Sequence, residues 1–191
     1  MGKFFGNLYL VLAIGLIFAV AVIVGYAPDV PASVNSVFRW LHVFFGILWI
    51  GLLYYLNFVQ VPAMPSIPAE MKGAVTGHIA PKVLFYFRYA ALLTVITGLV
   101  VAYLAGYVDR AMVLNGASPN ENLIGLGMWL ALIMAFNVWF IIWPAQKKIL
   151  GIVEASAEAK AAAAPRALYA SRTNVLLSLP MLYAMVSANL G

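Results

Sequence analysis

The side chain best suited to chemistry in this chain is His42. It is one of only two histidines, in the run Phe38-Arg39-Trp40-Leu41-His42-Val43-Phe44-Phe45-Gly46. That run opens an apolar stretch long enough to cross a bilayer. An ionisable residue at membrane depth is costly and marks a functional site by default, and neutral imidazole is a common axial ligand of haem iron. The plainer alternative is an interfacial histidine bonded to a backbone carbonyl. Gly46 lies one turn further along the same helix face. A missing side chain there leaves room for a flat macrocycle, or lets two helices pack closely. The other histidine, His78, stands between Gly77 and Pro81 and reads as a solvated loop residue.

A thioether can supply the second axial ligand. Met128 and Met185 fall at the same membrane level as His42, together with Asn189, and Met181 lies one turn below Met185. Methionine is also ordinary core filler. A second polar set occupies the other half of the membrane: Asn57, Gln60, Arg88, Asn137, Gln146, Arg172, Asn174 and Ser178. Amides at that depth need partners, because an unsatisfied polar group costs several kcal/mol. The set forms either a network that ties helices together or a polar pocket. In the second case Arg88, Asn57 and Asn137 are the candidate substrate contacts, with the Arg88 fork of donors receiving an anion.

The elements that must position these groups are transmembrane helices. The 191 residues are 65% apolar and only 9% charged, against roughly 25% charged in soluble domains. A span takes about 20 apolar residues. Five stretches qualify, at about 8–26, 38–59, 83–107, 123–143 and 174–190. The expectation is an all-α, polytopic bundle forming a single transmembrane domain over residues 1–191. The first stretch lacks a convincing cleavage site and reads as a retained helix. The segment 147–170, rich in Ala, Glu and Lys, is expected to extend the fourth helix or to form a short surface helix broken near Pro165. Pro180 is expected to kink the fifth helix.

Charge sets the orientation. Lys3, Lys72, Lys82, Arg88, Lys147, Lys148, Lys160, Arg166 and Arg172 fall on one side, and Arg39 and Arg110 on the other. By the positive-inside rule the N-terminus is cytoplasmic and the C-terminus periplasmic. His42 and His78 then lie at opposite membrane faces, about 25 Å of helix apart, too far to share one iron.

Several function classes are excluded. Without cysteine there is no disulfide, thiolate metal site or covalent c-type haem. No phosphate-binding loop, dinucleotide fingerprint or hydrolase triad is present. The net charge of +5 is accounted for by the membrane-flanking lysines and arginines, so no nucleic-acid partner is implied. The acids all fall in loops or surface segments, which argues against a pump or transporter built on buried carboxylates.

Four segments, in order, resemble the membrane domain of the cytochrome c-linked bacterial urate oxidases, the urate oxidase N-terminal family. They are Arg39-Trp40-Leu41-His42 continuing through Trp49-Ile50-Gly51 to Asn57-Phe58-Val59-Gln60; Phe87-Arg88-Tyr89-Ala90 with Thr97-Gly98; Asn137-Val138-Trp139 with Trp143-Pro144-Ala145-Gln146-Lys147-Lys148; and Ser171-Arg172-Thr173-Asn174 with Ser178-Leu179-Pro180-Met181. The resemblance implies a redox-linked helical protein of the bacterial inner membrane, with urate or a related purine as substrate and a c-type cytochrome as electron acceptor. The family pattern places a histidine after an asparagine near the end of the last helix, where this chain has Asn189-Leu190. The chain also stops at Gly191 without a cytochrome c domain, so it resembles a short form.

The residues and the resemblance together lead to the expectation of a b-type haem protein in the respiratory chain. His42 is its metal ligand, Gly46, Met128 and Met185 its further cofactor contacts, and a homo-oligomer or larger assembly its setting. The alternative is a haem-free accessory subunit of a respiratory membrane complex.

Overall fold

In a computed structural model that describes residues 5–26 and 34–188, every regular element is helical. The chain divides into two compact units, residues 1–37 and 38–191. The first contains α1 (Leu8–Tyr26), apolar on all sides and without a charged residue, as a lipid-facing span requires.

The second unit is a helical bundle. α2 (Val34–Tyr54) leads into it and runs on through a π-helical segment, Tyr55–Gln60. Short helical turns and a π segment, Val75–Ile79, lead into α3 (Ala80–Leu104). A short α4 (Val108–Met112) precedes α5 (Pro119–Phe136). A third π segment, Asn137–Ile142, joins α5 to α6 (Trp143–Ile149), and α7 (Ala157–Ser187) ends the described chain. Four helical stretches are long and apolar enough to cross a membrane: Leu8–Gly25, Val34–Ser66, Ala69–Leu104 and Pro119–Ile149. The expected fifth span is the C-terminal half of α7, continuous here with the charged half that precedes it.

Each π segment stops two residues before a proline: Gln60 before Pro62, Ile79 before Pro81, Ile142 before Pro144. Proline has no N–H to give the carbonyl four residues back, and its ring crowds that carbonyl. Widening the preceding turn relieves the crowding.

The 147–170 segment departs from expectation. It does not extend the fourth helix, which ends at Ile149. Gly151, at φ +70°, closes that helix: its N–H reaches the Lys148 carbonyl and the Ile152 N–H reaches Lys147, a Schellman cap. Ser156 then caps α7 through the Ala159 N–H at 3.2 Å. Nor does Pro165 break the helix: α7 is helical across both Pro165 and Pro180. Its long seam of small buried residues, Ala163, Ala167, Ala170, Asn174, Ser178 and Ala184, packs on α5 and α6. Close packing of that kind holds membrane helices together and offsets the lost backbone bonds.

The core joins α2, α3, α5, α7 and the third π segment, with Trp49, Leu53, Phe87, Met134, Val138 and Met181 at its centre. α4 folds back onto α5 so closely that a Cβ at Gly125 would overlap the Ala111 carbonyl. Arg110 ties the intervening turn by a bidentate bond to Glu121, at 3.0 and 2.8 Å.

The Gly125→Val substitution is expected to destabilise the protein by about 1–3 kcal/mol through overpacking, read by equilibrium unfolding in mixed micelles. Gly51→Ala, whose Cβ would meet nothing within 4 Å, is expected to be neutral, or to stabilise by up to roughly 1 kcal/mol by removing a helical glycine. A Gly125→Val protein as stable as the wild type would refute the close approach.

Candidate functional site

His42 lies on the inner face of α2, half-buried, facing α3. Its Nδ1 is 2.8 Å from the Thr94 carbonyl oxygen. A carbonyl can only accept, so Nδ1 carries the proton and donates it. Thr97 Oγ1 stands 3.5 Å from the same nitrogen and gives its own proton back along α3, to the carbonyl of Leu93 at 2.6 Å. Nε2, the ring's other nitrogen, makes no hydrogen bond among the described residues and keeps its lone pair. This is the tautomer a metal-ligating histidine needs, fixed by a hydrogen bond to its far nitrogen.

Gly98 provides the seat. A Cβ there would fall 2.7 Å from His42 Cε1 and 2.9 Å from Nδ1, so only glycine lets the ring lie against α3. Gly46 differs: a Cβ would meet nothing nearer than Thr94 Cγ2, at 3.9 Å. Its missing side chain is not forced by helix packing. Gly98 was not singled out among the candidate contacts, because a lone glycine in an apolar helix does not reveal what it faces.

The two methionines come together one turn beyond this seat. Met128 is buried with Ala102 and Ala111, and Met185 packs against the same cluster. Met185 Cε also lies 3.3 Å from where a Gly127 Cβ would be. Ala102 is one turn from Gly98 along α3, so the two methionines pack one turn from the seat of the imidazole. The hydrogen bonds of the ring itself all come from α3. Met181 is buried in the main core, and Asn189 lies outside the described residues. His78 is exposed in the π segment before α3, about 24 Å of helix from Thr94.

The inner polar set resolves into two groups. In the first, amides bind α7 to its neighbours. Asn137 Nδ2 donates to Asn174 Oδ1 at 2.9 Å, and Asn174 Nδ2 donates to the Met134 carbonyl at 3.0 Å. Asn57 Nδ2 donates to Ser171 Oγ at 2.8 Å and to the Leu53 carbonyl at 2.9 Å. The hydroxyls of Tyr54 and Ser178 meet at 2.9 Å. Two buried acceptors on α2 and its π extension, Asn57 Oδ1 and Gln60 Oε1, have no partner among the described residues, nor does the Trp49 indole N–H. The two carbonyl oxygens, one turn apart, can receive N–H or O–H donors. Arg88 forms the second group, its side chain making no hydrogen bond to these amides, while its carbonyl accepts the Trp139 indole N–H at 3.1 Å. Its guanidinium lies over the Trp143 ring, 3.8 Å from the centroid, with Tyr89 and Phe85 at 5.1 and 5.3 Å.

No group of three or more His, Cys, Asp or Glu residues able to hold a metal ion occurs among the described residues. Iron ligation by one imidazole within a porphyrin needs no such cluster.

The family whose model matches is urate oxidase N-terminal, over residues 115–191, in agreement with the resemblance read from the sequence. The matched stretch holds Met128, Asn137, Asn174 and Met185; His42, Gly46, Asn57, Arg88 and Gly98 precede it. No curated protein and no solved structure matches the chain.

The Gly98→Ala substitution is expected to lever the imidazole away from Thr94. In protein labelled with 15N-histidine, the His42 Nδ1–H resonance should then shift or vanish. Gly46→Ala should leave it in place, and an unchanged Gly98→Ala spectrum would rule out the seat.

Proposed function

We propose that this chain is a membrane redox protein of the bacterial inner membrane that holds b-type haem through His42 and passes electrons from a reduced substrate to a c-type cytochrome. The observation that carries this reading is the imidazole itself: Nδ1 bound to the Thr94 carbonyl, ring seated on Gly98, Nε2 free to ligate.

The residues present fit such a group. A ligating histidine must present a neutral nitrogen in a fixed direction, and the Thr94 carbonyl and Gly98 meet that need. Gly46 leaves the adjoining face of α2 without a side chain. When bound, haem supplies reversible one-electron chemistry. The rest falls to the protein. Thr94 holds the ring orientation and raises the basicity of Nε2 by accepting the Nδ1 proton. The apolar side chains of α2 and α3 around His42 would set the dielectric for such a group. Met128 and Met185, which pack in one cluster, are the chain's own candidates to supply a second ligand to such a group. Charge asymmetry orients this end of the bundle to the periplasm, where a soluble cytochrome would dock.

The match to the urate oxidase N-terminal family supports urate or a related purine as reductant. Such a ring presents N–H donors. Asn57 Oδ1, buried and without a partner among the described residues, is the amide best placed to accept one, with Asn137 on the third π segment the second candidate. Arg88 takes no part in that group.

The test is a reduced-minus-oxidised optical spectrum with a pyridine haemochrome assay, on wild type and His42→Ala. A b-type signal is expected in the wild type and at least tenfold less haem in the variant, in keeping with the order of magnitude by which ligand-shell losses weaken metal sites. A well-folded wild type without haem would overturn the proposal. A signal that survives in His42→Ala would reassign the ligand, with His78 the only other imidazole.

A further inference from the structure

Arg88 is a cation without a counter-ion among the described residues. The carboxylates among the described residues are Glu70, Asp109, Glu121, Glu154 and Glu158, and their one ion pair is Arg110–Glu121. The guanidinium makes no hydrogen bond to any described residue. It is held instead by its flat face, 3.8 Å from the Trp143 centroid. Stacking of this kind occupies the π faces and leaves the in-plane N–H fork open.

A second charge shares the same indole. Lys147 Nζ lies 5.9 Å from the Trp143 centroid, so the two cations stand within roughly 10 Å of one another, about a Debye length at 0.1 M salt. Two like charges against one aromatic ring, with no ion pair to an acid among the described residues, repel each other unless an anion joins them. The surroundings indicate which anion. Phe85, Tyr86 and Tyr89, on α3 beside Arg88, are exposed on the outside of the bundle, where acyl chains cover them in a membrane. Lys147 and Lys148 follow one turn past Trp143, at the end of α6. On the membrane reading of the helices, Arg88 thus belongs near the border between hydrocarbon and headgroup, at the basic end of the bundle.

We infer that Arg88, Trp143 and Lys147 form a binding site for the phosphate of an anionic phospholipid. The Arg88 fork takes two phosphate oxygens, Lys147 supplies the second charge, and the rings of Phe85 and Tyr89 line the start of the acyl chains. Trp143 fixes the plane of the fork. The site is independent of haem and rests only on the membrane reading of the apolar helices.

The experiment is fluorescence quenching of the tryptophans by brominated lipid, in vesicles of phosphatidylcholine containing increasing phosphatidylglycerol. Trp143 and Trp139 report on the site; the other tryptophans lie elsewhere and give the background. The wild type is expected to prefer the anionic lipid about fivefold, the scale of one basic residue at a membrane surface. Arg88→Gln and Lys147→Gln should each bring the preference close to unity. Arg88→Lys should lower it as well, since an ammonium lacks the planar fork. Arg110→Gln, at the other end of the bundle, should change nothing. Equal quenching by the two lipids in the wild type would overturn the site, as would a preference unaffected by Arg88→Gln in protein with native circular dichroism. Lys147→Gln, on a helix surface, serves should Arg88→Gln misfold. Inorganic phosphate or urate at millimolar concentration should leave the preference intact; abolition by either would reassign the site to a soluble anion and overturn the lipid reading.

Discussion

In hydrocarbon there is no water to satisfy a freed backbone group, and the bundle is arranged around that constraint. Pro62, Pro81 and Pro144 each deprive a carbonyl of its helical donor. The chain neither breaks nor sharply turns at these points; it widens into π segments and continues. The widened turns carry the polar side chains. Asn57 and Asn137 stand on the first and third of them, and both reach α7, at Ser171 and Asn174. The amides that tie the bundle together are thus attached to the turns that proline created. The same economy explains α7, where two prolines are absorbed by a seam of small residues packed on its neighbours.

His42 obeys a related rule. A polar side chain inside the membrane must be satisfied locally, and the Thr94 carbonyl does this. The bond to a backbone carbonyl, the plainer reading when only residue types are known, is the one the ring makes, and it does not preclude a ligand role. One nitrogen satisfies the membrane and the other remains available for chemistry. Thr97 stands close to Nδ1 but spends its proton within α3, leaving the Nδ1 bond to the Thr94 carbonyl undisturbed.

Much of this was legible in the sequence, and for definable reasons. Apolar runs of membrane length mark helices whatever their packing, so α1, α2, α3 and α5 could be placed to within a few residues. The 147–170 segment was not legible. Its Ala-rich composition favours helix throughout, and only the backbone shows Gly151 in a left-handed conformation ending one helix before the next begins. Pro165 was read as a breaker because a lone proline usually is; the Ala163 and Ala167 packing that sustains the helix is tertiary. Gly98 and Arg88 illustrate the same limit from opposite sides. A glycine's purpose depends on what faces it, and an arginine's partner can be an aromatic ring several turns away on another helix.

The turn between α4 and α5 is tied at every step. Arg110 grips Glu121 with two donors, the Ala117 N–H reaches the same carboxylate, the Gly116 N–H is held by Asn122, and the Trp129 indole bonds the Met112 carbonyl. Leu114 even accepts a φ of +53°, a conformation that costs a branched side chain about 1 kcal/mol or more. The loop's ordering entropy is therefore already spent before anything binds. A protein that meets this end of the bundle encounters a rigid surface, and its association proceeds as docking of preformed shapes, paced by diffusion and charge rather than by loop rearrangement.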